Sequence, residues 1–184
     1  MGQIIYQIDD EDRISHVNEG WTRSANDSGA GDACSDHQVV GQSLWASISD
    51  PTTIDLYRHI VALVRSGRMV QFHYRCDVPA FRRIFEMRVE QSENDNVRFT
   101  STLASEQARP SVALLDSNVM PRVGSIRMCS WCQRIAGPAD TWMAVEEAIE
   151  SSRLLESGSL PVITHGICDE CAARMYALIE AGGI

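Results

Sequence analysis

Four of the six cysteines in this sequence fall in two C-x2-C pairs. Cys129 and Cys132 lie in SIRMCSWCQRI, residues 125–135, and Cys168 and Cys171 lie in THGICDECAAR, residues 164–174. The pairs are 35 residues apart. Thiols at this spacing support three chemistries. Two C-x2-C turns can close a tetrahedral site around a zinc ion, each sulfur at about 2.3 Å, with no position left open for water. A C-x2-C at a helix N-terminus can be a thioredoxin-like redox pair, because the helix end lowers a thiol pKa. Two structural disulfides are the third reading. The zinc reading is favoured. No βαβ pattern surrounds Cys168 and Cys171, and a redox pair leaves the other cysteine pair unexplained. The 35-residue gap is longer than a usual zinc ribbon, but it holds a helical stretch whose ends can come together.

Neighbouring residues are weighed in the same way. His165 lies three residues before Cys168. It is an alternative ligand, but with four thiols present its expected task is to hydrogen-bond a thiolate or brace the loop. Trp131 and Trp142 are expected to pack around the cluster. Cys34 reads as a loop thiol and Cys76 as a small residue on the apolar face of a strand; His16, His37, His59 and His73 are scattered and read as non-ligands.

Composition narrows the function classes. The 184-residue chain carries 25 acidic residues against 16 basic ones, all arginine, for a net charge of −9. Residues 122–184 alone carry 5 arginines and 8 acidic residues. Neither the whole chain nor this part has the basic footprint of a nucleic-acid binder or of a protein held on anionic lipid. No stretch approaches the roughly 20 apolar residues that span a bilayer. The start, MGQIIYQIDDEDR, lacks the basic and apolar regions of a signal peptide. A reducing cytoplasm is the expected compartment, where paired cysteines hold metals more often than disulfides.

The elements that must position the cysteines come next. QIIYQID (3–9) and RISHV (13–17) read as strands, and NEGWTRSAN (18–26) as a short helix capped by Asn18. DSGAGDACSDHQ (27–38) is a small, Gly-rich loop. DPTTIDLYRHIVALVRSG (50–67) is the strongest helix of the first half, with Pro51 in its first turn, Ile54, Tyr57, Ile60, Val61 and Val64 at helical spacing, and Gly67 to stop it. The period then falls to two. Val70, Phe72, Tyr74 and Cys76 share a face in 68–77, Phe85, Met87 and Val89 in 82–93, and Val97, Phe99, Ser101 and Leu103 in 97–105. Residues 106–124 hold two prolines and no sustained period, which predicts a linker. Helices are predicted from about Met143 to Glu156 and over 168–183. A unit of about sixty residues with two short helices buries little core and calls for a metal or cross-links.

That order of strands and helices over residues 3–105 resembles a PAS domain. ISHVNEGWTRSA, VVGQSLWASISDP and YRCDVPAFRRIFEMRV are similar to stretches of bacterial PAS sensors, with the Gly-rich 27–38 loop as a departure. MCSWCQRI, Trp142, VEEAIESS and ITHGICDECAAR together resemble a small cysteine module found after sensory domains in bacterial signalling proteins. The resemblance implies that Cys129, Cys132, Cys168 and Cys171 form one cluster.

The expected protein is therefore α+β: a PAS-like five-stranded antiparallel sheet with helices in residues 1–105, a linker in 106–125, and a zinc-clamped helical module in 126–184. Phe72, Tyr74, Phe85, Met87 and Phe99 are candidates to line a ligand pocket or to form a closed core; the ligand itself is not legible. No phosphoacceptor helix, nucleotide-binding glycine box, G-x-S-x-G, H-E-x-x-H, P-loop or helix-turn-helix is present. The expected function is non-catalytic: sensing or dimerisation by the sheet unit and contact with a protein partner through a structural zinc module. A thiol redox switch or oxidoreductase and a nucleic-acid-binding zinc ribbon are the alternatives. A homodimer is expected, with Val112, Leu114 and Leu115 placed in its contact or between the two units.

Overall fold

The computed structural model describes residues 2–28, 31–116, 119, 122–151 and 159–182. The chain runs β1 (Ile4–Ile8), β2 (Ile14–Val17), α1 (Glu19–Asp27), α2 (Asp36–Val39), α3 (Pro51–Arg65), β3 (Val70–Arg75), β4 (Phe81–Gln91) and β5 (Val97–Ala108). It continues with β6 (Arg122–Cys129), β7 (Ile135–Ala136), β8 (Trp142–Met143), α4 (Val145–Ser151), β9 (Leu160–Gly166) and α5 (Asp169–Glu180). Among the described residues no helix is long and apolar enough to cross a membrane.

The first five strands form one antiparallel sheet in the order β2-β1-β5-β4-β3. Its register follows from the alternation in sequence. Phe72 faces Met87 and Val89 faces Phe99, so one side of the sheet carries a continuous apolar layer. A slip of one residue would turn that layer to water, which is why alternation specifies register so strongly. The strands end where turn chemistry demands it: Asn94 and Asp95 adopt positive φ (57° and 60°) between β4 and β5.

Helix α3 covers the apolar layer. The Asp50 carboxylate accepts from the Thr53 amide and hydroxyl, both at 2.8 Å, satisfying orphan donors of the first turn and contributing about 1 kcal/mol. Pro51 loses nothing there, since its missing N–H has no partner in a first turn. Leu56, Ile60, Val61 and Val64 are buried on one face. Gly67, at φ 86°, makes the left-handed exit and closes the helix.

The C-terminal region corrects one expectation. It is not a helical module: β6, β7, β8 and β9 form a second sheet in the order β8-β7-β6-β9, and α4 and α5 flank it. β6 and β9 run parallel, joined by the long crossover that parallel pairing needs; since α4 lies in that crossover, a β-α-β arrangement does precede Cys168 and Cys171, which corrects the expectation that none surrounds them. β6 forms a hairpin with β7 across the cysteine turn, but its parallel partner β9 lies far along the chain, so local pattern does not reveal that pair. The predicted helix from Met143 is shorter at its start, because Trp142 and Met143 belong to β8; residues 152–158 of that prediction lie outside the described residues. The predicted linker is also partly structured, with β5 reaching Ala108 and a 3-10 turn at Ala113–Leu115.

Two apolar clusters hold these layers. The larger joins the inner face of the first sheet and α3 to Cys129, Trp131, Ile167, Cys168, Cys171 and Met175. The smaller joins Val112 and Leu114 to Met128, Ile135, Val145 and Ala148. The VALL run thus packs on the C-terminal region, with Leu114 fully buried. α5 also meets α3 directly, where the Tyr176 hydroxyl donates to Asp55 Oδ2 at 2.7 Å.

Candidate metal centre

The parallel pairing of β6 with β9 brings the two cysteine pairs together. Cys129 ends β6 opposite Gly166, the last residue of β9. The chain leaves β6 into the Cys129–Cys132 turn and leaves β9 into α5. Cys168 caps α5 and Cys171 lies in its first turn. All four sulfurs lie within 4.8 Å of one another, close enough to hold a metal ion. Cys132 Sγ and Cys168 Sγ are 3.7 Å apart. A tetrahedron with metal–sulfur bonds of about 2.3 Å has edges of about 3.8 Å, whereas a disulfide brings sulfurs to about 2.05 Å. The cluster therefore fits an ion better than cross-links.

The first turn is built to aim amides at sulfur. Gln133 N donates to Cys129 O and Cys129 N donates to Arg134 O, both at 2.9 Å, which closes a tight knuckle. Gln133 reverses the chain at φ 58°. The Cys168 amide donates to Cys129 Sγ at 3.4 Å. Cys129 is held below the ordinary thiol value: Cys132 donates to it, and the Cys168, Cys132 and Trp131 amides add to this against the opposing effect of burial. Cys132, which keeps the shared proton, is raised, with burial acting in the same direction. Burial and the neighbouring Cys129 push Cys171 up to about 11. One sulfur is thus prepared as a thiolate, and a bound cation's charge would draw the protons from the rest. Arg174 Nη2 donates to Cys171 Sγ at 3.2 Å, placing a cation beside a cluster that four thiolates and a divalent ion would leave negative.

The knuckle is moored to the first sheet. Arg75, the last residue of β3, donates its amide to Trp131 O at 2.8 Å and its Nη1 to Cys132 O at 3.2 Å. Gln133 Oε1 accepts from the Asp77 amide at 3.1 Å. The Asp77 carboxylate has no exposure; it pairs with Arg75 and, at 3.2 Å, with Arg109 Nη1. Across the site, Arg134 and Glu170 form an ion pair at 2.6 Å that ties the knuckle to α5.

The remaining sequence candidates are placed as follows. His165 stands outside the group of four sulfurs. It lines a cavity instead; burial of part of its ring lowers its pKa. Cys76 is exposed, which corrects the reading of it as a core residue: β3 ends at Arg75 and Asp77 turns inward in its place. His16, His37, His59 and His73 are all exposed. Trp142 is half-buried, with the Arg127 guanidinium 5.1 Å from its ring centre.

The cavity measures about 650 Å3 and lies between the first sheet, α3 and the cysteine knuckle. Phe72, Tyr74 and Met87 line it. Phe85 and Phe99 are buried beside it, Phe85 stacked on Tyr74 at 5.7 Å and Phe99 on Tyr6 at 4.4 Å. Ser130, Trp131 and His165 complete the wall from the C-terminal region. Sequence reasoning placed no residue beyond position 105 in this cavity, because a tryptophan between two cysteines has no signal that separates cluster packing from cavity lining.

Comparison with models of known families gives no match, and no curated protein matches the chain.

Proposed function

We propose that this chain is a non-catalytic sensory or adaptor protein. Its first sheet acts as a PAS-like sensor or pairing unit, and a structural zinc site fixes a C-terminal surface for a protein partner. The strand order β2-β1-β5-β4-β3, with helices over one face, supports the PAS-like reading. Four soft thiolates in a closed set, with no position left for water or substrate, support zinc in a structural role.

One observation carries the sensory reading. Trp131 sits between two cluster cysteines and also forms part of the cavity wall, 5.7 Å from Tyr57 and 6.0 Å from Phe72 between ring centres. A molecule that touches the Trp131 ring would therefore press on a residue joined by one peptide bond to Cys132. The test is amide hydrogen exchange on the metal-loaded protein before and after chelation. The reading requires that metal removal deprotect not only 126–151 and 160–182 but also α3 and β3. Changes confined to the C-terminal region would contradict a coupled sensor.

A further inference from the structure

We infer that the 650 Å3 cavity is a site for an organic cation, a quaternary or protonated amine on a flat group, held by aromatic rings and the Asp50 carboxylate. This deepens the sensor reading and rests on it. The rings of Tyr6, Trp21, Tyr57, Phe72, Tyr74 and Trp131 line the cavity. They brace one another. Tyr6 stacks on Phe99 at 4.4 Å and meets Trp21 edge-on at 5.5 Å, while Tyr57 and Phe72 stand 5.7 and 6.0 Å from Trp131. The Trp21 indole N–H donates to Cys34 O at 2.8 Å, which fixes that ring as well. Aromatic rings held in place attract a cation through their negative faces, most strongly where water is excluded.

Charge decides between a cation and other occupants. Asp50 brings a carboxylate to the wall, and no arginine is among the described lining residues. Asp50 Oδ2 is taken by the Thr53 amide and hydroxyl at the start of α3. Asp50 Oδ1 has no hydrogen-bond or ion-pair partner among the described residues. It stands at the end of β9, 3.2 Å from the place a Cβ on Gly166 would occupy. The other polar groups of the wall add no positive charge. Burial raises the pKa of Tyr6 and Tyr57, which stay neutral phenols, and the Tyr74 hydroxyl donates to Ser101 Oγ at 2.9 Å. His165 is exposed at the rim, and burial of part of its ring lowers its pKa, so it is uncharged at neutral pH. Ser47, Ser49, Thr53 and Ser130 bring hydroxyls only. A carboxylate or phosphate would therefore leave water without a partner charge. A neutral occupant would use the rings but gain nothing from Asp50 Oδ1. The net charge of −9 also draws cations toward the chain.

The probes share one phenol ring and differ in charge: 3-hydroxyphenyltrimethylammonium, its neutral isostere 3-tert-butylphenol, and the anion 3-hydroxybenzenesulfonate. Each is titrated by calorimetry into the full metal-loaded chain. Wild type should bind one trimethylammonium probe per chain, about tenfold more tightly than 3-tert-butylphenol, and should not bind the sulfonate. Asp50→Asn keeps a side-chain acceptor for the Thr53 amide, so α3 stays capped. It should weaken the cation about tenfold and leave 3-tert-butylphenol unchanged; the N-terminus of α3 already offsets part of the Asp50 charge, which holds the effect to that size. Glu93→Gln, on the exposed turn between β4 and β5, should change nothing. The affinity order in the wild type tests the inference even if Asp50→Asn does not fold. Equal or tighter binding of 3-tert-butylphenol or the sulfonate overturns the inference and leaves the sensor reading standing. So does a cation affinity that Asp50→Asn leaves unchanged, or that Glu93→Gln lowers as much. No saturable binding of any probe also overturns it, whereas the sensor reading falls only to exchange changes confined to the C-terminal region.

Discussion

Asp77→Asn should destabilise the metal-loaded protein by about 3 kcal/mol, although it alters no cysteine. The Asp77 side chain has no exposure. Its oxygens accept from the Arg83 amide at 3.1 Å and from Arg75 Nε at 3.3 Å, and pair with Arg109 Nη1 at 3.2 Å. Removing one charge from a buried ion pair costs about 3–5 kcal/mol, mostly because the other charge stays buried. Arg109 is only 5% exposed, which argues for the full range. Two features pull the figure to its lower end: Arg109 keeps Glu146 at 3.3 Å, and Arg75, 32% exposed, can turn to water. The asparagine oxygen still accepts from Arg83, but its amide group faces two guanidinium groups. For a chain of this length, 1 kcal/mol moves Tm by about 2–4 °C, so the loss should be about 6–12 °C. Circular dichroism melts of wild type and variant, both zinc-loaded and reduced, read it directly. Because the Asp77 backbone amide holds Gln133 of the knuckle, any shift of residue 77 as its carboxylate contacts are lost should reach the cluster, and the variant should lose metal to a chelator faster than wild type. A Tm shift under about 2 °C with unchanged chelation kinetics would refute the reasoning and reduce the cluster to the weight of a surface pair.

Four further outcomes follow. Alkylation of Cys129, Cys132, Cys168 and Cys171 should be slow at neutral pH and accelerate on adding a chelator; fast modification of Cys132 or Cys168 in the loaded protein would favour the redox alternative instead. Metal retention should fall as pH drops, since protons compete for the thiolates; Cys171, whose thiol is pushed up to about 11 by burial, regains its proton readily once the ion's charge is gone, so loss measured with a colorimetric indicator should be cooperative. Leu114→Glu puts a charge into a fully buried position and should lower Tm by more than about 5 °C. Light scattering on the wild type should give a dimer, and a monomer across micromolar concentrations would remove that claim.

Much of the first sheet was legible because each of its strands pairs through alternation that is visible locally. Val70 and Phe72, Met87 and Val89, and Val97 and Phe99 alternate with polar residues, and their inward direction follows from the period alone. α3 was legible from Asp50, Pro51 and Gly67, which mark both its ends. The four cysteines were legible because C-x2-C fits a single ion. The second sheet was not: β7 and β8 are two residues each, and β6 finds its parallel partner β9 only across a long crossover. Cys76 was misplaced because alternation was extended one step too far. β3 stops at Arg75, whose amide leaves the ladder for Trp131 O, and the buried position passes to a charged residue. Asp77 could be recognised as buried only from its partners Arg75 and Arg109, which lie on different parts of the chain.

Elemental analysis of the protein purified under reducing conditions, without added metal, tests the central claim most directly. A closed set of four thiolates whose sulfurs lie within 4.8 Å of one another should carry close to one zinc per chain. It should release that zinc only when all four thiols become titratable. Iron in place of zinc, or a reduced and folded protein with less than about a tenth of an equivalent of any metal, would contradict it.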